Sequence, residues 1–393
     1  MPSMRRTAPL ALAPFLLAFA SPAFPGGEPP SGRLHHAVRI GHEEMPTSWD
    51  DACMTGRAVA IMLGLCTAVL VLGGLYLASS ILAPVAFSLF VVAVVWPLQR
   101  ALESRIPRLV ALVVTLVVTL FVVTVLGYLV VWAFGTVGRW LIENALRFQA
   151  LYVQWNDWLA DHGILVTNLL VENFNAGWLI RGVQEVGGRL HGVVTFVVIT
   201  FVFTALGLLE VEIASKHIAS LDNREAARTI LQASTQIADK FQKYMLVRSA
   251  MSVLTGLVVW AFTLLAGLEL ATAWGVIAFV LNYIPFIGPL VATVFPTLFA
   301  LAQVGSWQLA VVVFVCLNLI QFLIGSYLEP RIAGAALSVS PFLVLFAVFF
   351  WAFLWGIAGA FIGVPIVIAA LTLCDQREST RWVATLLSGR ERR

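Results

Sequence analysis

Charge is what this sequence has least of. Between Arg248 and Asp375 only Glu269, Glu329 and Arg331 carry any, three residues in 126 positions. A stretch that long cannot face water; it lies in lipid, or inside a bundle that lies in lipid. Histidine is missing beyond His217, and aspartate is missing between 240 and 374. A membrane serine hydrolase or aspartyl protease would need those residues in or beside its spans. There is no Gly-x-x-x-x-Gly-Lys-Ser/Thr run, hence no P-loop to hydrolyse nucleotide. No His-x-x-x-His or Cys-x-x-Cys spacing points to a metal. The four cysteines (Cys53, Cys66, Cys316, Cys374) have no paired spacing and read as packing residues. No catalysis, metal or cofactor is expected, and a net charge of +3 is too small to suggest nucleic acid.

What is present is apolar. Of 393 residues 60% are hydrophobic and 11% charged, against about 25% charged in soluble domains. The expected class is an all-α integral membrane protein. Residues 1–54 stand apart. Arg5 and Arg6, an apolar run over 8–20 and Ser21-Pro22-Ala23 resemble a secretory signal, and the following polar stretch reads as disordered. A cleaved signal, an uncleaved anchor and a start codon set too early (Met54 precedes the first long span) all stay open.

About 20 apolar residues cross roughly 30 Å as a helix. Candidate spans are 58–78, 81–98, 109–134, 193–209, 251–268 and 309–327, five to six full crossings. Ser79-Ser80 between the first two predicts a tight helical hairpin. Arg100, Arg105 and Arg108 against Glu103 assign the next linker to the cytoplasm by the positive-inside rule. The polar segment 210–248 and the basic tail 376–393 fall on the same side. Residues 135–192 mix tryptophans with nearly balanced charge and read as an extracytoplasmic amphipathic helical region, on the membrane interface or packed on itself. The domain plan is then 55–134 for the first three spans, 135–192 for that region and 193–375 for a transporter core.

Two segments of the core are broken. Residues 271–303 form two short apolar pieces around Asn282-Tyr283-Ile284-Pro285-Phe286-Ile287-Gly288-Pro289, and 341–373 repeat the plan around Gly356–Gly359, with Pro365 beyond. Proline removes a backbone donor and glycine permits a turn. Such a break at membrane depth is tolerated only in protein or beside a wet cavity. Two opposed, possibly re-entrant hairpins are the sequence pointer to a transport site. The candidate pathway residues are Asn282, Tyr283, Pro285, Gly288, Pro289, Asn318, Gln321, Glu329, Arg331, Gly356, Gly359 and Pro365. Asn318 and Gln321, three apart, share a helix face. Structural readings compete: Gly359 and Gly363 suit close helix packing, the amides suit interhelical bonding, and Glu329 with Arg331 suits an interfacial anchor.

The run 282–289 resembles the signature of the autoinducer-2 exporter family of bacterial permeases. So do Glu329-Pro330-Arg331-Ile332-Ala333-Gly334, Ser340-Pro341, Trp355-Gly356-Ile357-Ala358-Gly359 and Gly363-Val364-Pro365. Ala83-Pro84 and Trp96-Pro97-Leu98 fit its opening spans, while Ala352 and Ser326-Tyr327 depart from its pattern. The resemblance covers roughly residues 55–375. It implies a multi-pass permease of the bacterial cytoplasmic membrane, some members exporting a signalling molecule and others exchanging sodium and protons. The expected activity is export of a small polar solute coupled to a proton or sodium ion, and the basic tail places the C-terminus inside. Its partners would be the bilayer, the solute and the ion, with a homo-oligomer left open. Glu329 is the leading residue for coupling, with Arg331 as its counter-charge. The alternatives are a sodium/proton antiporter of the same family and a membrane scaffold that moves no solute.

Overall fold

The computed structural model describes residues 48–144, 190–333, 339–376 and 378–387. Among these no strand occurs, and eight helical stretches are long and apolar enough to cross a membrane. The signal-like N-terminus and most of the expected amphipathic region, residues 145–189, lie outside the described residues.

Helix α1 (Ser48–Leu77) is followed by α2 (Ser79–Glu103), and Ala78 alone separates them. The tight hairpin expected here is not seen. Ala78 keeps near-helical angles (φ −88°, ψ 14°), so it redirects the chain without folding α1 back onto α2. Residues 58–74 are exposed along their whole length. Only the end of α1 touches the bundle: Trp355 Nε1 donates to the Leu75 carbonyl at 3.1 Å, and Tyr76 stacks on Phe353. Two prolines, Pro84 and Pro97, lie inside α2. Pro97 has no N–H for the carbonyl of Ala93, four residues back. Gln242 Nε2 fills the vacancy at 3.0 Å from a neighbouring helix, the kind of repair that proline in a membrane helix requires.

Helix α3 (Arg108–Glu143) runs nine residues past the expected span end at 134. Helix α4 (Leu190–Ala219) returns, and its end is tied to the start of α3: Arg108 meets Glu212 at 2.8 Å and donates to the Leu209 carbonyl. Next comes α5 (Arg224–Leu265), 42 residues long, capped by the Asn223 side chain accepting from the Ala226 amide. Its first half is polar and its second half apolar, so it joins the expected polar segment to the fifth span without interruption.

Both broken segments fold back on themselves. Helix α6 (Ala271–Leu281) has 11 residues, about 16 Å, and α7 (Ile287–Val304) runs back beside it. Their outer ends are latched together. The Glu269 amide donates to Gln303 Oε1, Gln303 Nε2 donates to the Gly267 carbonyl, and Trp140 Nε1 donates to Glu269 at 2.6 Å. At the tip a Cβ on Gly288 would overlap the Leu281 carbonyl, so the turn needs glycine there. Helix α8 (Trp307–Gln321) widens into a π-helical segment, Phe322–Leu328, and ends as α9 (Glu329–Ala333). Pro330 explains the widening: it offers no N–H to the carbonyl four residues back, while the Glu329 amide reaches back to Ile324.

Helix α10 (Pro341–Asp375) breaks at Trp355 and at Gly356, whose φ of 64° and ψ of −144° suit glycine alone. Its arms are antiparallel and in backbone contact. A Cβ on Gly359 would overlap the Trp351 carbonyl, and one on Gly363 would come within 2.9 Å of the Ala347 carbonyl. The open end sits by the first half of α5, where Gln376 bonds Gln236 and Lys240 bonds Thr372. Helix α11 (Arg381–Leu387) closes against the same end, its Leu387 carbonyl accepting from the Ser340 amide.

Gly359→Val should therefore wedge the arms of α10 apart and cost about 1–3 kcal/mol or more. Gly73→Ala, with nothing near the added methyl, should be neutral or slightly stabilising. Thermal unfolding of the two variants in detergent checks this; equal melting points would contradict the packed-arm geometry.

Candidate functional site

One face of α5 organises the site. Asn282 Nδ2 donates to Ser252 Oγ at 3.2 Å and Tyr283 donates its hydroxyl to Ser249 Oγ at 3.0 Å, which holds the tip of the α6–α7 hairpin against α5. One turn earlier, Arg248 Nη1 donates to both carboxylate oxygens of Glu329 at 2.6 and 2.8 Å. The side chain of Arg248 is 7% exposed and that of Glu329 21%. The ion pair thus spans from α5 to the proline-bearing segment beyond α8.

Between these elements lies a cavity of about 800 Å³. The hairpin tip gives it Asn282, Pro285, Phe286 and Pro289; the α8–α9 stretch gives Asn318, Gln321, Ser326 and Glu329; α5 gives Tyr244 and Arg248. The arms of α10 close it with Val344, Val364 and Ile368. Phe286 holds a positive φ of 63°, a strained state for a side chain of this kind, at the cavity wall. In three of the residues that line it, a buried polar atom has no hydrogen-bond partner among the described residues: the Tyr244 hydroxyl, Arg248 Nε and Gln321 Nε2. Groups of that kind are costly unless water or a ligand meets them.

Six of the twelve sequence-selected residues line this cavity: Asn282, Pro285, Pro289, Asn318, Gln321 and Glu329. The other six lie elsewhere. Tyr283 anchors the tip, bonded to Ser249 and stacked on Phe361 at 5.9 Å. Gly288 forms the turn beneath it. Gly356 is the bend of α10, Gly359 the contact between its arms, and Pro365 is buried in its second arm beside Val364. Arg331 is exposed, its guanidinium 4.0 Å over the Tyr327 ring. It is not the counter-charge of Glu329, because residues two apart on a helix point in different directions. Nor does the second hairpin bring its tip to the cavity; it contributes its arms.

Sequence reasoning missed Arg248 and Tyr244. The signal was in view, since Arg248 is the last charge before the charge-free stretch, but it was counted with the basic flank that sets topology. Tyr244 lies one helical turn before it on the same face. Among the described residues no group of three or more His, Cys, Asp or Glu could hold a metal ion.

A multi-pass helical fold with two helical segments folded back on themselves beside a solute-sized cavity has the form of a membrane transport protein. Residues 65–378 match the family model described as AI-2E family transporter, and the chain belongs to that family. It is 27% identical over 340 residues to the AI-2 transport protein TqsA of Escherichia coli, covering 85% of this chain and 96% of that one. It is also 29% identical over 220 residues to a candidate transport protein of Borreliella burgdorferi, covering 56% of this chain and 60% of that one. A further candidate transport protein, from Haemophilus influenzae, is 24% identical over 337 residues, covering 83% and 95%. The chain is thus a membrane transporter, which fits a protein without catalysis.

Breaking the buried pair from one side should be worse than removing both charges. Arg248→Met strands the Glu329 carboxylate; with that side chain one-fifth exposed, a cost of about 2–3 kcal/mol is expected. The double variant Arg248→Met/Glu329→Gln should recover much of it. Denaturation of both variants and each single change, run as a cycle, reads the difference directly.

Proposed function

We propose that the protein is an ion-coupled secondary transporter of the bacterial cytoplasmic membrane, moving a small polar solute through the cavity between the α6–α7 hairpin, α5 and the α8–α9 stretch. The core is 193–375, and the direction suggested by the family resemblance is export. The observation that carries this reading is the part-buried Arg248–Glu329 pair on the cavity wall. Ionisable groups at membrane depth are costly and characteristically line transport pathways. Protonation or ion binding at Glu329 would weaken its hold on Arg248 and so uncouple α5 from the α8–α9 stretch. That is a local charge event acting on a joint between two elements. Lacking a nucleotide motif, the cycle would draw on a proton or sodium gradient.

Sidedness supports the same arrangement. The ends joined by Arg108–Glu212 and by Gln236–Gln376 carry the basic residues and would face the cytoplasm, with the C-terminus. The latch of Trp140, Glu269 and Gln303 would face outward.

Flux into or out of sealed proteoliposomes tests the proposal, with an imposed proton or sodium gradient and a panel of small polar solutes. Gradient-dependent, saturable movement is expected from the wild type. Glu329→Gln should lose it while remaining folded and inserted, and full flux in that variant would remove the coupling assignment.

A further inference from the structure

We infer that the cavity takes a small carboxylate-type anion on the free edge of Arg248, and that this anion binds together with a proton on Glu329. The inference rests on the transport reading above and names its solute class. Glu329 engages Nη1 only, with both of its oxygens, so it does not use the two-nitrogen edge that a guanidinium offers to an oxyanion. Nε on that edge is buried without a partner among the described residues. So are the Tyr244 hydroxyl and Gln321 Nε2, in two further residues that line the cavity. All three are donors. The one carboxylate of the cavity is already taken, so the unmet demand is for acceptor oxygens.

Charge then decides the linkage. Arg248 with ionised Glu329 is neutral, and a bound anion would leave one uncompensated negative charge in a buried site, which is strongly disfavoured. Putting a proton on a Glu329 oxygen breaks the ion pair and lets the anion supply the counter-charge, keeping the site neutral. Among the described residues, the titratable and charged groups around Glu329 are few. Arg248 and Tyr244 come from α5, and Tyr327 and Arg331 from its own stretch. The hairpin tip and the α10 arms offer only Asn282, prolines, Phe286 and aliphatic side chains to the cavity. Anion and proton would therefore move in the same direction without net charge. Flux would then follow the sum of the carboxylate and proton gradients. A carboxylate concentrated inside the cell leaves with a proton, and an imposed proton gradient drives the anion toward the side of lower proton concentration.

Calorimetric titration of the full chain in lipid nanodiscs tests this with L-lactate, which offers a carboxylate and a hydroxyl, against its neutral analogue L-lactamide. L-Lactate should bind and L-lactamide should not. Binding should be at least about tenfold tighter near pH 6 than near pH 8, the direction set by uptake of one proton with the anion. Glu329→Gln should bind L-lactate near pH 8 at least as tightly as the wild type does near pH 6, with the pH dependence gone. This gain cannot arise from misfolding. Arg248→Met should bind neither compound. Equal affinity for the two compounds, weaker anion binding in Glu329→Gln, or no lactate binding in either form would overturn the inference. Glu329-dependent flux of neutral solutes alongside absent lactate binding would sink the anion site alone; lactate binding with no flux of any solute would sink the transport reading instead.

Discussion

Inside hydrocarbon every backbone N–H and C=O has to find a partner within the protein, and this fold breaks its helices there repeatedly. The breaks hold because one long helix supplies surface to nearly all of them. Along α5 the residues Gln236, Lys240, Tyr244, Arg248, Ser252 and Gly256 follow at intervals of four, a continuous ridge on one side. The first two hold the open end of α10, Arg248 holds the proline-bearing stretch at Glu329, and Ser252 holds the tip of the α6–α7 hairpin. Gly256 then lets α6 approach until its own backbone meets that of Gly275; a Cβ on either glycine would fall within 2.9 Å of the other's carbonyl. Gln242, beside this ridge, repairs the break at Pro97.

The cavity follows from that arrangement. Apart from α5, each wall is a place where a helix departs from regular geometry: the tip at Pro285 and Pro289, the π-helical widening before Pro330, and the doubled-back arms of α10. Regular helices packed side by side leave little space between them. Helices that stop short, widen or turn back leave room, and here the room is lined by unmet donors and one ion pair. The latch of Trp140, Glu269 and Gln303 closes the hairpin's far end, so the mobile joint of any cycle is more naturally the Arg248–Glu329 contact than the latch.

Much of this was legible in the sequence, and for local reasons. Pro285, Gly288, Pro289 and Gly356 act through their own backbone chemistry, so both breaks could be read without knowing what surrounds them. The competing structural reading of Gly359 and Gly363 as close-packing residues describes their surroundings in the α10 hairpin. Contacts between distant residues were not legible. Arg248 and Glu329 are 81 positions apart, whereas Arg331 is two positions from Glu329 and drew the pairing by proximity in sequence alone. Ser79-Ser80 suggested a turn, but turn-forming residues do not require one, and Ala78 bends the chain without reversing it. Hydropathy likewise gave an apolar run ending at 134 but not where α3 stops, because a helix can continue into water once it has been nucleated.

The central claim is that Glu329 and the hairpin tip meet in a water-accessible cavity within the membrane, and exposure alone does not distinguish that surface from lipid contact. Ser326 and Leu319 do. Both are exposed on the α8–α9 stretch, but only Ser326 lines the cavity. With the four native cysteines replaced, a single cysteine at each position in turn is treated with a membrane-impermeant thiol reagent in sealed vesicles. The account predicts rapid labelling at 326, from one side of the membrane only, and none at 319. Equal labelling at both positions, or none at 326 from either side, would contradict it.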